Sequence, residues 1–315
     1  MLPYTLKRLG VSVAIVAAAI VLIFCMIYVI PGDPVKVALG PRATPEMAAH
    51  FRAKMGLDLP LYIQLLNYFG QVLQGDLGSD VLSGRSVALS ILDVLPFTLA
   101  LVASSMSWSI LIGVPLGCYA AVRRGSAVDR VTGIVSVGTI TIPPVVVAVY
   151  SLLVFAVWLG WFPAIGAGER GDLGSQLWHL VLPSLAVGLG WVGYLARMVR
   201  ASMLEVLGEN HIRMARAFGI PSRTITYQYA LRLAILPTLT VLGIGVGSLL
   251  TSAVFAEIVF ARPRIGKLAY DAIIGRNYPV VTGTILVTTA FYAIVSLLAD
   301  LAIAGLDPRV RQSLG

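Results

Sequence analysis

The chain has 315 residues, of which 58% are hydrophobic and only 12% are charged, and its mean hydropathy is +0.89. Soluble domains carry about 25% charged residues, so this composition excludes a soluble globular protein. The net charge of +8 would suit a nucleic-acid-binding protein, but the hydropathy argues against that class. The chain is therefore expected to be an all-α membrane protein with several spans.

Six apolar stretches are long enough to cross a bilayer as helices, which takes roughly 20 residues. We place them at 9–30, 97–121, 132–160, 177–196, 234–258 and 280–304. Pro143 and Pro144 interrupt the third stretch and predict a kink. The fourth is the weakest prediction, because His179, Pro183 and several glycines fall within it. The first is too long for the apolar part of a signal peptide, so a retained helix is expected.

The distribution of charge predicts how the chain is oriented. With six spans, the side that carries both ends holds 13 of the 23 basic residues but only 5 of the 15 acidic ones. Basic residues near span ends stay in the cytoplasm. We therefore expect both termini and the loop 197–233 to be cytoplasmic. Residues 1–30 form an N-terminal transmembrane helix, 31–95 an extracytoplasmic segment, and 96–315 a core domain.

The chain lacks the residues that would let it drive transport or catalyse a reaction by itself. Apart from Glu257 and Asp300 at span ends, no charged residue lies within a span, which disfavours ion coupling. Backbone carbonyls can also bind cations, so ion coupling stays open. No nucleotide-binding, zinc or hydrolase motif occurs. Cys25 and Cys118 lie inside spans and are interpreted as apolar fillers rather than a disulfide or metal pair. No enzyme activity, cofactor or metal is expected.

A basic amphipathic segment, His211–Tyr229, stands out between two apolar runs. Its small residues, glycine and proline predict a short helix, a break and a second helix. Helical spacing places Ile212, Ala215, Phe218 and Gly219 near one face. The candidate contact residues of this loop are Arg213, Ala215, Arg216, Ala217, Phe218 and Gly219. The segment either contacts a soluble partner or rests on anionic lipid.

A series of short sequence motifs along most of the chain resembles the motifs of one protein family. They are Pro31-Gly-Asp-Pro34, Met55–Leu61, Gly75-Asp-Leu-Gly78, Gly113–Gly117, Arg197–Leu207, Ala215–Gly219, Glu257 with Phe260 and Pro263, Tyr278-Pro279, and Asp307-Pro-Arg309. In this order they resemble the inner-membrane permeases of bacterial ATP-binding-cassette (ABC) importers of the peptide/nickel family. Within that family, the chain resembles the first of the two permeases of dipeptide and oligopeptide transporters.

This resemblance implies a type I importer permease with about six transmembrane helices. It implies a second homologous permease in a heterodimer, two cytoplasmic ATPase subunits that hold ATP and Mg, and an extracytoplasmic solute-binding protein. The 211–229 loop would then dock on an ATPase. The cargo would be a dipeptide or short oligopeptide, with nickel chelates and glutathione as alternatives. The rival classes are an ion-coupled carrier or channel acting alone and an assembly scaffold.

Two further regions carry open interpretations. Gly243, Gly245 and Gly247 predict close packing of the fifth span against a neighbour. In the family this helix lies near the translocation path, which makes Ser248, Thr251 and Ser252 candidate pore-lining residues. The outer segment 31–95 is interpreted as a docking surface for a soluble binding protein, as a contact with the second permease, or as a cap of the outer mouth. The basic residues of the outer loop 261–279, including Arg262, are expected to face a partner, a peptide carboxylate or solvent.

Overall fold

A computed structural model describes residues 2–29, 44–46, 49, 52, 58–81, 83–169, 171–263 and 265–306. Within these residues the regular elements are helices, and the only extended pairing is an isolated bridge between Ser79 and Ser86. The all-α prediction is confirmed. The Pro31–Pro34 motif and the terminal Asp307–Arg309 motif lie outside the described residues.

The helices are numbered here in chain order. They are α1 (Leu2–Val29), α2 (Leu61–Leu73), α3 (Val87–Val122), α4 (Ala127–Thr141), α5 (Pro144–Ser151), α6 (Leu173–Leu207), α7 (Asn210–Ala217), α8 (Ser222–Thr224), α9 (Leu231–Ala234), α10 (Leu236–Val259), α11 (Ile265–Ile274) and α12 (Tyr278–Leu306). The π-helical stretch Leu152–Trp158 continues α5, and a second one, Ile225–Ala230, connects α8 to α9.

The predicted spans coincide with the long apolar helices. In the described part of the chain, four helices could each cross a membrane alone: α1, α3, α6 and α12. Two bent pairs raise the number to six if each pair is one span. The helix α3 has 36 residues. At 1.5 Å per residue it is about 54 Å long, well beyond the ~30 Å of hydrocarbon that it must cross.

The third predicted span is broken rather than kinked. The helices α4 and α5 meet at an angle of 98° at Pro143-Pro144. Ile142 and Pro143 both precede a proline and adopt extended ψ angles of 122° and 139°. A proline forces the residue before it out of the helical region, so two in a row end the helix. The 15 residues of α4 are only about 22 Å long, so α4 alone does not reach across the hydrocarbon.

The helix that looked weakest as a span is central to its part of the molecule. In α6, 61% of the apolar window is buried within the chain, and Pro183 lies inside the helix. Two of its backbone carbonyls accept hydrogen bonds from side chains of α3. The Trp108 indole donates to the Ser184 carbonyl (3.0 Å), and the Ser109 hydroxyl donates to the Gly188 carbonyl (2.9 Å). A helix surrounded by protein tolerates glycine and polar contacts that a lipid-facing helix would not.

The glycines of the fifth span allow the close packing that the sequence predicts. A Cβ added to Gly245 on α10 would lie 2.3 Å from the Trp191 ring of α6. Only a residue without a side chain permits this approach.

The chain divides into two compact units. The first comprises Met1–Thr5, Phe97–Pro263 and Val295–Gly315. The second comprises Leu6–Pro96 and Arg264–Ile294, and a buried cluster that includes Val87, Ile265 and Val281 forms its core.

Candidate functional site

The short helix α7 follows α6 after a two-residue turn and has two different faces. Ile212 is 0% exposed and Ala215 is 6% exposed, whereas Met214 and Phe218 are 60% and 78% exposed. Arg213, Arg216 and Ala217 are also exposed. One face of α7 is therefore anchored in the protein, and the other presents apolar and basic side chains outward.

The inner face of α7 packs into a core that reaches two long helices. Each member of this core has less than a tenth of its surface exposed: Val114, Cys118 and Ala121 on α3, Val199, Met203 and Val206 on α6, Ile212 and Ala215 on α7, and Ile225, Ala230 and Ala234 beyond it. Protein interiors pack as densely as organic crystals and transmit strain. Through these side chains, α7 shares one packed core with α3 and α6.

The turn after α7 depends on a glycine. Gly219 has φ +73°, a left-handed conformation that side chains with a Cβ disfavour. Its amide donates to the Arg216 carbonyl (3.0 Å), and the Ile220 amide donates to that of Ala215 (3.2 Å). These bonds satisfy carbonyls at the end of the helix. Pro221 directly precedes the second helical segment, which begins with α8 at Ser222, so the predicted helix–break–helix order is present.

The face predicted from helical spacing is divided between the two sides of α7. Ile212 and Ala215 belong to the core, while Phe218 and Gly219 are exposed, because α7 ends before Phe218 and the chain turns there. Met214, which the sequence does not distinguish from a core residue, lies on the outer face instead. Eight residues make too short a helix for the periodicity to decide which side faces inward.

A salt bridge ties α4 to α6 near the start of the loop. The Arg200 guanidinium donates to both oxygens of Asp129, through Nε and through Nη2, the latter at 2.9 Å. Asp129 also accepts from the Gly125 amide (2.9 Å). The pair is bidentate, which gives it geometric specificity. The sequence carries no signal for this pair, because Asp129 and Arg200 are 71 positions apart; the local pattern from Ser126 to Asp129 indicates only the start of α4.

A second polar network lies where α6, α10 and α3 meet. Pro183 lacks an amide hydrogen, so it cannot bond the carbonyl of His179 four residues earlier. The Arg262 guanidinium donates to that carbonyl instead (2.9 Å), and the Thr98 hydroxyl donates to Glu257 (2.5 Å). Arg262 is only 4% exposed. Burial lowers the pKa of its guanidinium, while the nearby Glu257 carboxylate opposes that shift.

The burial of Arg262 corrects the expectation that it faces a partner, a peptide or solvent. Its side chain satisfies groups of its own chain, because the proline in α6 frees a carbonyl that needs a donor. The sequence offers no sign of this hydrogen bond, because Arg262 and His179 are 83 positions apart.

The candidate pore residues lie on one stretch of α10. Ser248 and Thr251 are exposed within this chain, and Ser252 is half-buried. The hydroxyl of Ser248 donates to the Gly245 carbonyl (3.0 Å), and that of Thr251 donates to the Gly247 carbonyl (3.2 Å). Their oxygens remain able to accept a hydrogen bond. Among the described residues, no group of three or more histidine, cysteine or acidic side chains is arranged to hold a metal ion.

Comparison with known proteins identifies the family. The model of the binding-protein-dependent transport system inner membrane component matches residues 113–312, and the model of the N-terminal region of such membrane components matches residues 1–102. The glutathione transport system permease protein GsiC of Salmonella choleraesuis (strain SC-B67) is 35% identical over 312 residues, 99% of each chain. That of Escherichia coli (strain K12) is 34% identical over the same length and coverage.

The fold is also similar to solved structures. An inward-facing structure of the MetNI methionine ABC transporter (CY5 SeMet soak crystal form) has a TM-score of 0.56 and 19% identity, covering 70% of this chain and 97% of that one. The native crystal form has a TM-score of 0.54 and 22% identity, with coverage of 69% and 96%. At these identities the likeness concerns the fold alone. The chain belongs to the family of binding-protein-dependent transport system inner membrane components, and it is a multi-pass permease subunit of a bacterial ABC importer that works with ATPase and binding-protein partners.

Proposed function

We propose that this permease forms a translocation path with a second homologous permease, and that two cytoplasmic ATPase subunits move it through α7 and the turn at Gly219. The observation that supports this proposal is the contrast between the two faces of α7, one of which is buried while the other is exposed. Met214 on α7 and Phe218 directly after it are exposed apolar side chains, while the other face of α7 packs into the core. Exposed apolar anchors flanked by arginine are typical of protein contact sites.

The proposed transmission runs through packed side chains. Closure of the ATPases on ATP pushes α7, and Ile212 and Ala215 pass the displacement to α6 and α3. The salt bridge between Asp129 and Arg200 makes α4 follow α6. The spans then alternate between an outward-open and an inward-open arrangement. Both termini and the 197–233 loop are cytoplasmic in this proposal, and 31–95 faces the binding protein.

The proposed path for the cargo passes Ser248, Thr251 and Ser252 on α10. Two of these hydroxyl side chains are exposed within the isolated chain and uncharged, so they can accept hydrogen bonds from a polar solute without holding it tightly. Weak, uncharged contacts suit a path through which the cargo must leave as well as enter. Specificity would then reside mainly in the binding protein.

We propose glutathione or a closely related short peptide as the cargo. Support comes from the similarity to glutathione permeases, at 34–35% identity over 99% of both chains. This similarity favours the glutathione alternative over the dipeptides and longer oligopeptides that the motifs first indicated. Dipeptides remain the second candidate, because glutathione is itself a peptide and the motifs resemble peptide permeases. Nickel chelates are the third.

The contact is tested by placing a photo-crosslinking amino acid at Met214 in the assembled transporter. We expect crosslinks to an ATPase subunit that become stronger or weaker when ATP is added. The same amino acid at Tyr270, which is 63% exposed on α11, is the control and should give no ATPase crosslink. Absence of an ATPase crosslink from Met214 in an assembled, active complex would contradict the proposal.

The cargo is tested with the cognate binding protein and reconstituted transporter. We expect glutathione to raise the Tm of the binding protein and to be taken up with ATP. A Tm shift and uptake with dipeptides or a nickel chelate, but none with glutathione, would refute this choice of cargo while leaving the ATPase contact intact.

A further inference from the structure

A cleft of about 570 Å³ opens between α4 and α6, at the end of α6 that leads into α7. Its lining has two parts. One is charged and contains Asp129, Arg130, Arg197 and Arg200, and the other is an apolar wall that includes Ile134 and Val137. The cleft therefore combines a polar end and an apolar side.

The charged end carries two arginines that no acidic side chain of the described residues pairs with. Asp129 is already engaged by the bidentate contact with Arg200 and by the Gly125 amide. Arg130 and Arg197 are exposed, and neither forms an ion pair within the part of the chain that the structure describes. Two guanidinium groups thus line one cleft without a carboxylate of their own.

The apolar wall belongs to a surface suited to lipid. Ile134 is 74% exposed, and Val131 and Val137 are 57% and 52% exposed on the same helix. No charged residue lies between Arg130 and Glu169. The arginines thus lie at the boundary between a long apolar region and the charged loop that follows α6. Arginine at such a boundary reaches the headgroup layer while its methylene groups contact acyl chains.

We propose that this cleft is a binding site for one anionic phospholipid. The lipid phosphate contacts Arg130 and Arg197, and an acyl chain lies along Ile134 and Val137. Guanidinium groups bind phosphate in a bidentate manner and are weakly hydrated, which favours such contacts over those of lysine. Basic pockets between membrane helices on the cytoplasmic side bind anionic headgroups by this chemistry. A second permease subunit fits the cleft less well than a lipid. To match the lining, it would need an acidic side chain to pair with the arginines directly beside an apolar surface to cover the apolar wall.

The test measures lipid binding to the complete transporter in detergent. Phosphatidylglycerol and phosphatidylcholine are titrated separately, and the lipid retained is counted by native mass spectrometry. We expect a saturable site for one phosphatidylglycerol per copy of this chain. The double variant Arg130→Gln/Arg197→Gln should bind it roughly 30-fold more weakly, or about 5-fold for each arginine lost.

Two controls decide whether the cleft and the lipid headgroup account for the binding. The double variant Arg232→Gln/Lys267→Gln removes two positive charges from exposed residues outside the cleft and should bind like the wild type. Inorganic phosphate should not displace the lipid. Equal binding of both lipids, an unchanged affinity in the Arg130/Arg197 variant, or displacement by inorganic phosphate would each overturn the proposal.

A crosslinking measurement tests the competing occupant. A Cβ at Gly133 would have no heavy atom within 4 Å, so Gly133→Cys introduces a thiol into the cleft without a clash. In a background lacking Cys25 and Cys118, this thiol should react with a maleimide-bearing phospholipid and should not crosslink to the second permease. Crosslinking to the second permease in the intact complex would show that protein, and not lipid, fills the cleft.

Discussion

Replacing Phe218 by alanine should uncouple the permease from its ATPases while leaving its fold intact. The side chain is 78% exposed, so the chain's own core loses little when it is removed. A buried phenylalanine covers at least about 150 Å². About 120 Å² of Phe218 is therefore available to a partner. At about 25 cal/mol per Å², covering it contributes about 3 kcal/mol, or about 100-fold in the binding constant.

The assay measures two quantities on the same purified variant. The first is the affinity of the permease pair for the ATPase subunits in detergent, which should fall by up to about 100-fold. The second is ATP-driven uptake in proteoliposomes, which should fall with it. The Tm of the isolated permease should stay close to that of the wild type, because exposed substitutions usually change stability by less than about 0.5 kcal/mol.

A matched control separates this contact from a general effect of losing an aromatic side chain. Tyr270→Ala removes an exposed aromatic residue, 63% exposed, from α11 and should leave ATPase affinity and uptake unchanged. Wild-type ATPase affinity and uptake in Phe218→Ala would refute the reasoning. So would an equal loss in Tyr270→Ala.

Three further substitutions test the loop and the two polar networks. The variant Gly219→Asp should insert and fold, because aspartate tolerates a left-handed φ and a Cβ at this position would meet no neighbouring side chain within 4 Å. Its ATP-driven uptake should nevertheless be lost. The uncharged control Gly219→Asn should retain more uptake than Gly219→Asp. Asp129→Asn should lower the Tm of the permease, because Arg200 loses a bidentate partner; an unchanged Tm would contradict the proposed role of the pair. Arg262→Met should destabilise the permease by about 2–4 kcal/mol, because the His179 carbonyl loses its donor. Adding Pro183→Ala should recover about 1 kcal/mol, since the restored amide at position 183 can bond that carbonyl. Strictly additive effects of the two substitutions would argue against this connection between Arg262 and Pro183.

The sequence predicts the class of fold and the positions of the helices well. Long apolar runs are a strong signal in a membrane protein, because backbone groups in lipid must bond within the helix. All six predicted spans overlap helices of the structure. The sharp break at Pro143-Pro144 was predicted only as a kink. Two adjacent prolines remove amides and restrict their neighbours, but the angle of 98° depends on how α5 packs against other helices.

The sequence predicts the helix, the turn and the second helix of the candidate loop, but it does not predict which side of α7 faces inward. Gly219 and Pro221 indicate the turn after α7, since one suits a left-handed conformation and the other a helix start. Which side of α7 faces inward depends on α3 and α6, so Met214 and Ala215 were not distinguishable. Arg262 looked like a surface residue because its acceptor is a backbone carbonyl on a distant helix, and backbone acceptors leave no mark in the sequence.

The central claim is that ATPases bound to the cytoplasmic side of this permease drive its movement. Uptake in proteoliposomes tests this claim most directly. The complete transporter, with its binding protein outside the vesicles and ATP inside, should accumulate the cargo. The same permease pair without the ATPases should accumulate nothing, whether a proton or a sodium gradient is imposed. Accumulation against a concentration gradient by the permease pair alone, driven by either ion, would contradict the account.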